Sequence, residues 1–357
     1  MKAVGYRESL PIENPDALQN VEMERPVAKG RDLLVRVKAI GMNPVDFKVR
    51  QRAEPEPGQI KVLGWDAVGE VVATGEGASL FKEGDTVFYA GDVTRQGSNA
   101  EYQVVDERLV GRKPASLSDA DAAALPLTTI TAWEMLFDHL QLERQLAGSI
   151  TPSDDVVLVI GAAGGVGSIL VQLIKQLTGA KVLATASRPE SKAWVESLGA
   201  DFVLNHREPL QPQIETLVSA GKIGSVTHVA SLNATDQYFD DYVAVLRPFG
   251  KIAMIDDPAS LDVMKIKPKS LSLHIEFMFA RSMHQADDMQ VQHDLLNEVS
   301  RLVDQGFIRT TAGKHLGAIN AENLRAAHAE LESGTAVGKI EGWQTNVKNS
   351  PKTLSTY

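Results

Sequence analysis

Apolar and polar positions change rhythm along this chain. Up to about residue 120 they form short β-leaning runs closed by glycine turns. Residues 33–40 end at Gly41, 67–73 run into Gly75 and Gly77, 86–89 follow the Gly84-Asp85 turn, and 102–105 come next. The opening residues, 1–6, read as a further strand. Several short strands with glycine-marked turns predict a compact, mostly β domain. Residues 119–124 and 131–140 then read as helices broken at Pro126.

After Pro152 the pattern alternates. Residues 156–160 are apolar at every position, as in a strand buried on both faces of a parallel sheet. Ile169, Leu170, Leu173, Ile174 and Leu177 mark one face of a helix over 168–177. A strand at 181–186, a helix at 190–198 ending at Gly199, short strands at 202–204 and 228–230, a helix at 236–246 and a strand at 251–255 follow. This βαβα rhythm predicts a doubly wound parallel sheet, so the class is α/β. The tail adds helices around 295–303 and 321–331, a strand at 338–343, and a polar end at 346–357 that reads as loose.

Between the apolar strand and the amphipathic helix lies Gly161-Ala162-Ala163-Gly164-Gly165-Val166-Gly167. In that context a glycine loop binds a dinucleotide. Glycines let the backbone turn sharply and approach the pyrophosphate, and the helix start offers free N–H groups to the phosphates. Against G-x-G-x-x-G, Ala162 occupies the first glycine position, while Gly164 and Gly167 supply the second and third. Ala163, Gly164, Gly165, Val166 and Gly167 are therefore cofactor-binding candidates.

The end of the next strand selects the cofactor. An acid there would hold the ribose 2′-OH of NAD. This chain has Ser187, Arg188 and, one short turn on, Lys192. A hydroxyl and two cations suit the 2′-phosphate of NADPH through charge-assisted hydrogen bonds. Glu190 dissents, though an acid also suits a first helical turn. A solvated helix start is the plain alternative.

Composition removes other classes. The 357 residues are 43% hydrophobic and 23% charged, ordinary globular usage. The formal net charge of −10 argues against a nucleic-acid partner. No apolar run is long enough to span a bilayer, and no signal peptide is visible, so a cytoplasmic protein is expected. There are no cysteines, which excludes disulfides, thiol nucleophiles and cysteine-held zinc. The eight histidines are scattered without a ligand-spaced pair, so no metal site is expected.

Several segments together resemble the medium-chain dehydrogenase/reductase superfamily, in its quinone oxidoreductase and zinc-type alcohol dehydrogenase-like branch. They are Gly41-Met42-Asn43-Pro44-Val45-Asp46, Gly64-Trp65-Asp66-Ala67-Val68-Gly69-Glu70-Val71, 124–132, the glycine loop, and Ser333-Gly334-Thr335-Ala336-Val337-Gly338-Lys339-Ile340. The resemblance implies a GroES-like β domain, 1–128 with 283–357, beside a Rossmann domain, 129–282. Zinc members carry a ligand cysteine where this chain has Asn43, and Gly-His-Glu where it has Gly64-Trp65-Asp66. The implied enzyme is zinc-free.

Without a Lewis acid, simple alcohol oxidation lacks an alkoxide stabiliser. Hydride donation from NADPH to an electron-poor quinone or α,β-unsaturated carbonyl fits better, with the protein positioning the cofactor. An NADPH-dependent carbonyl or alcohol oxidoreductase, or an NADPH-binding protein without turnover, is the alternative. The resemblance places Asn43, Asp46, Trp65 and Thr128 at the catalytic side and Thr131, Leu232 and Asn233 near the cofactor. Asn43 would hydrogen-bond a substrate carbonyl or ribose. Asp46 reads equally as a helix cap, and Trp65 as an apolar wall or as core. No proton donor stands out between Tyr89 and solvent. The expected partners are a small electrophilic substrate and a second copy of the chain, paired through the Rossmann edge at 271–279.

Overall fold

The computed structural model describes residues 1–344; the polar end at 346–357 lies outside the described residues. The chain divides into two compact units, one formed by Met1–Leu127 with the chain from Phe279 onward, the other by Thr128–Met278.

The first unit opens with strands β1 (Lys2–Tyr6), β2 (Gln19–Glu22) and β3 (Asp32–Met42), followed by helix α1 (Pro44–Arg52). Then come β4 (Lys61–Val62), β5 (Asp66–Thr74), β6 (Thr86–Ala90), β7 (Tyr102–Asp106) and β8 (Val110–Arg112). β3 is the spine of the larger sheet, pairing antiparallel with β5 and β7, and β5 continues to β6 and β8. α1 starts at the Asn43-Pro44 step, with the Asp46 carboxylate accepting from the Asn43 N–H.

Ser118 caps α2 (Asp119–Ala123) by accepting from the Asp121 N–H. α3 (Pro126–Trp133) begins at the proline expected to break helices. At the first helical position the missing N–H costs nothing, so Pro126 starts the element instead. The expected 131–140 helix thus begins five residues earlier and continues as a wider π turn over Glu134–His139.

The second unit holds β9 (Val156–Ile160), α4 (Gly165–Leu177), β10 (Lys181–Thr185), α5 (Pro189–Ser197), β11 (Phe202–Leu204), α6 (Leu210–Ser219), β12 (Val226–Ser231), α7 (Thr235–Val245), β13 (Leu246–Met254) and β14 (Ser272–Ile275). All six strands are parallel, in the order β11-β10-β9-β12-β13-β14. The order reverses between β9 and β12, where doubly wound sheets bind ligands outside the strands' carboxyl ends. Leu158, Ile160, Leu183, Val229, Phe239, Tyr242 and Ile252 form the core of one face. Each large apolar side chain buried there stabilises the unit by about 1.5–3 kcal/mol before entropy costs.

The chain then returns to the first unit through α8 (Ala280–Met283), α9 (Val291–Asp304), β15 (Ala312–Ala318), α10 (Ala321–Glu332) and β16 (Lys339–Trp343). β16 pairs antiparallel with β3, setting Ile340 opposite Met42 and Glu341 opposite Gly41. The architecture is the expected α/β class, a GroES-like β unit and a doubly wound parallel sheet. Among the described residues, no helix is long and apolar enough to cross a membrane.

Candidate functional site

In the second unit, the loops after β9, β10, β11 and β12 gather at the carboxyl end of the sheet. Gly161 takes φ +75°, and a Cβ on it would lie 2.7 Å from Asn233 Oδ1. Its N–H donates to Thr185 Oγ1 at 3.1 Å, and that hydroxyl donates to the Val159 carbonyl. Gly167 is demanded by packing, because a Cβ there would meet the Ala162 Cα and carbonyl at 2.5 Å.

Gly164 differs. Its φ of −75° suits any residue, and its added Cβ would find only the Gly161 carbonyl, at 3.4 Å. Among the described residues no steric demand explains glycine here, whereas the expected approach of a phosphate to bare backbone would. Ala163, Gly165 and Val166 share this half-buried turn at the start of α4. Ser168 braces it, donating to the Gly164 carbonyl at 2.7 Å while accepting from Trp194 Nε1 at 2.8 Å.

After β10, the Arg188 N–H donates to Ser191 Oγ, fixing the start of α5. The Arg188 guanidinium lies 3.3 Å from Glu190 Oε1, so the dissenting acid engages the very cation expected to meet a phosphate. Lys192 follows one turn on, its N–H donating to the Arg188 carbonyl. Ser187 Oγ lies 3.1 Å from His206 Nε2, in the turn after β11. The imidazole is held below its ordinary pKa by desolvation first, then by Arg207 and Arg188. Sequence reasoning passed over His206. Its signal was position, in the turn after the third strand of the same sheet.

Leu232 donates its N–H to the Ile160 carbonyl, tying its loop to the glycine loop, and Asn233 is exposed beside it. Thr128 and Thr131 both lie in α3, three positions apart and therefore on one helical face.

In the first unit, Asn43, Asp66 and Lys339 meet in the interior. Lys339 Nζ donates to Asp66 Oδ2 (2.8 Å), Asn43 Oδ1 (2.5 Å) and the Met42 carbonyl (2.8 Å). Asn43 Nδ2 donates to the same Asp66 oxygen at 2.8 Å, while Asp66 Oδ1 accepts from the Leu127 N–H. Only the amide oxygen of Asn43 can accept from an ammonium, which orients its side chain. One Nδ2 proton remains for any further bond.

Asp46 acts as a cap, and burial pushes its carboxyl up to about 7, with Asp66 adding to the rise. Burial likewise pushes the Glu341 carboxyl up to about 9, aided by Asp121 and opposed by Lys339. Trp65 is fully buried, donates to the Asp92 carbonyl and meets Phe279 edge-on at 5.9 Å, which is core packing. Tyr89 is buried too, its hydroxyl committed to Gln103.

This donor set does not fit zinc. Asn43 and Asp66 are engaged by an ammonium, and Trp65 offers an N–H donor rather than a lone pair. Among the described residues, no group of three or more His, Cys, Asp or Glu converges to hold a metal.

A glycine loop at the switch point of a six-stranded parallel sheet, joined in one chain to a mostly antiparallel β unit, defines a dinucleotide-dependent oxidoreductase. The model of the alcohol dehydrogenase GroES-like domain matches residues 29–115, and that of the zinc-binding dehydrogenase matches residues 165–291. A zinc-type alcohol dehydrogenase-like protein of Staphylococcus epidermidis is 37% identical, over 95% of this chain and 98% of its own. A crystal structure of a putative zinc-dependent alcohol dehydrogenase protein from Rhizobium etli superposes with a TM-score of 0.91 at 47% identity, covering 97% of this chain and 99% of that one. The 2-methylene-furan-3-one reductase of Solanum lycopersicum is 37% identical over 58% of this chain and 52% of its own. The chain belongs to the medium-chain dehydrogenase/reductase superfamily.

Proposed function

We propose that this oxidoreductase uses cytoplasmic NADPH to reduce a quinone or an α,β-unsaturated carbonyl without a metal. The observation that carries the reading is the Lys339–Asp66–Asn43 cluster, which engages the residues at the family's metal-ligand motifs. A reaction needing no alkoxide stabiliser is then favoured over oxidation of a simple alcohol. The tomato relative, named as the reductase of a methylene ketone, supports the acceptor class. Ser187, Arg188 and Lys192, in place of an acid, support the 2′-phosphate form of the cofactor.

Bound NADPH supplies the hydride. Gly164 and the first turn of α4 hold the pyrophosphate, and Ser187, Arg188 and Lys192 hold the 2′-phosphate. Asn43, clamped by Lys339 and Asp66, keeps one Nδ2 proton for a substrate carbonyl. Stopped-flow NADPH oxidation against quinones, enones and saturated ketones tests this reading. Loss of the C=C bond from enones, with saturated ketones untouched, is the expected result; alcohol formation from saturated ketones would replace the reading by that of a carbonyl reductase.

The same reading extends to a homodimer. β14 is the last strand of its sheet, and its Ile275 and the nearby Phe277 are 67% and 49% exposed. Pairing through this edge would cover both. Sedimentation of wild type and Ile275→Lys tests it, with a shift from dimer to monomer expected.

A further inference from the structure

The turn after β11 carries Asn205, His206 and Arg207 beside the end of β10. A phosphate on the ribose is expected here. Ser187 holds the imidazole through Nε2, and Arg188 and Arg207 both act on it electrostatically. The ring is half-buried and therefore reachable. Its backbone is also fixed, because the Tyr238 hydroxyl of α7 donates to the His206 carbonyl at 3.1 Å.

We propose that His206 is a specificity-determining residue, contacting the 2′-phosphate of NADPH as an imidazolium so that the preference for NADPH over NADH is set by pH. The inference rests on the NADPH reading above. Without a ligand, partial burial and, after it, two guanidiniums disfavour the charged ring. A dianionic phosphate reverses the local field, so NADPH binding takes up a proton that NADH binding does not.

The other groups around the ring provide no competing switch in the working range. A guanidinium is no switch in this range, which sets aside the arginines on either side. The Tyr238 phenol is raised above its ordinary value by burial and by Asp241, and stays neutral. Glu190 is ion-paired with Arg188, and Glu208 accepts from Asn205 Nδ2. Lys192 lies one turn into α5.

The test is the dissociation constant of NADPH and of NADH between pH 8.5 and 6.0, at fixed ionic strength, for wild type and His206→Gln. The NADPH-to-NADH preference of wild type should rise by about tenfold across this range, the limit for one linked proton per pH unit being tenfold. Toward pH 6 it should begin to level off, as the phosphate takes its own proton. His206→Gln should lose the slope and leave NADH unchanged. A slope that persists in His206→Gln overturns the inference, as does a flat wild-type profile with NADPH still preferred; the latter leaves the NADPH reading intact. Preference for NADH at every pH overturns both. NMR titration of the His206 ring in the wild-type protein gives a second readout, independent of any variant. Its pKa should rise on adding NADPH and stay put on adding NADH; an equal response to both overturns the inference.

Discussion

Lys339 Nζ stands 2.8 Å from Asp66 Oδ2, with the two side chains only 3% and 0% exposed. Removing one partner of such a pair strands the other charge in a low dielectric, at a cost of about 3–5 kcal/mol. Lys339→Met should therefore unfold at markedly lower denaturant. Asp66→Asn added to it should recover part of the loss, since the uncompensated charge is gone while the hydrogen bonds to Asn43 and Leu127 can be remade. A double variant as unstable as the sum of the singles would show that the ammonium is not acting as the partner of Asp66.

Glu341 leads to a pH dependence with a definite sign. Neither carboxylate oxygen makes a well-formed hydrogen bond, although the His315 ring Nδ1 lies 3.2 Å from Oε2, and Lys339 is the cation that opposes the rise. Its folded pKa, pushed to about 9 from an ordinary 4.5, lies above the unfolded one. The folded state holds this proton more tightly, so the associated stability is complete below about 4.5 and is lost as pH rises through about 9. Asp46 adds the same trend over a lower window, from 3.8 to about 7. Glu341→Gln should thus gain stability relative to wild type at pH 9 and little at pH 4. Urea unfolding at the two pH values measures the difference, and an equal change at both would defeat the assignment.

What could be read from sequence follows from how local each signal is. Residues 156–160 are apolar throughout and flanked by the glycine loop, so the parallel sheet and its ligand edge announce themselves. α1 gives no such signal, because the residues it buries are Asp46 and Arg50, not an apolar stripe. Arg50 is satisfied by the Leu10 carbonyl, His328 and Glu332, and two of these three partners lie about 280 positions away. β15 escapes alternation because Gly313 and Gly317 sit within it and its register with β16 shifts twice. Lys339 stands in a segment that marks the family, yet its role depends on Asp66, 273 positions earlier. Ser187 and His206 are 19 apart, and only the pairing of β10 with β11 joins them.

The two glycines of the phosphate loop should separate when each is replaced by alanine. Gly167→Ala drives a methyl to 2.5 Å from the Ala162 backbone, so the loop and α4 must shift. Overpacking of this kind costs about 1–3 kcal/mol. Gly164→Ala has room within the chain and an ordinary φ, so stability should change by less than about 0.5 kcal/mol. Its loss should appear in affinity, for NADPH and NADH alike, because both carry the pyrophosphate. Thermal unfolding and cofactor titration on the two variants separate the effects; a Gly164→Ala protein with unchanged affinity would remove that residue from the site.

Arg188 should separate the cofactors from each other. Its guanidinium is partly exposed and already lies 3.3 Å from Glu190 Oε1, so a 2′-phosphate must compete with that carboxylate. A charge-assisted contact is worth about 1.5–3 kcal/mol, and exposure with salt screening draws it toward the low end. Arg188→Ala should then weaken NADPH by about tenfold, the equivalent of ~1.4 kcal/mol, and leave NADH nearly unchanged. Glu190→Gln should act in the opposite direction, freeing the guanidinium and tightening NADPH alone. Ser187→Asp should go further than Arg188→Ala, placing a like charge against the phosphate while offering the free 2′-OH of NADH an acceptor. The quantity to follow is the ratio of the two dissociation constants across the three variants at one ionic strength. Equal weakening of both cofactors in Arg188→Ala would make the residue a structural element of the α5 start, where its N–H already binds Ser191.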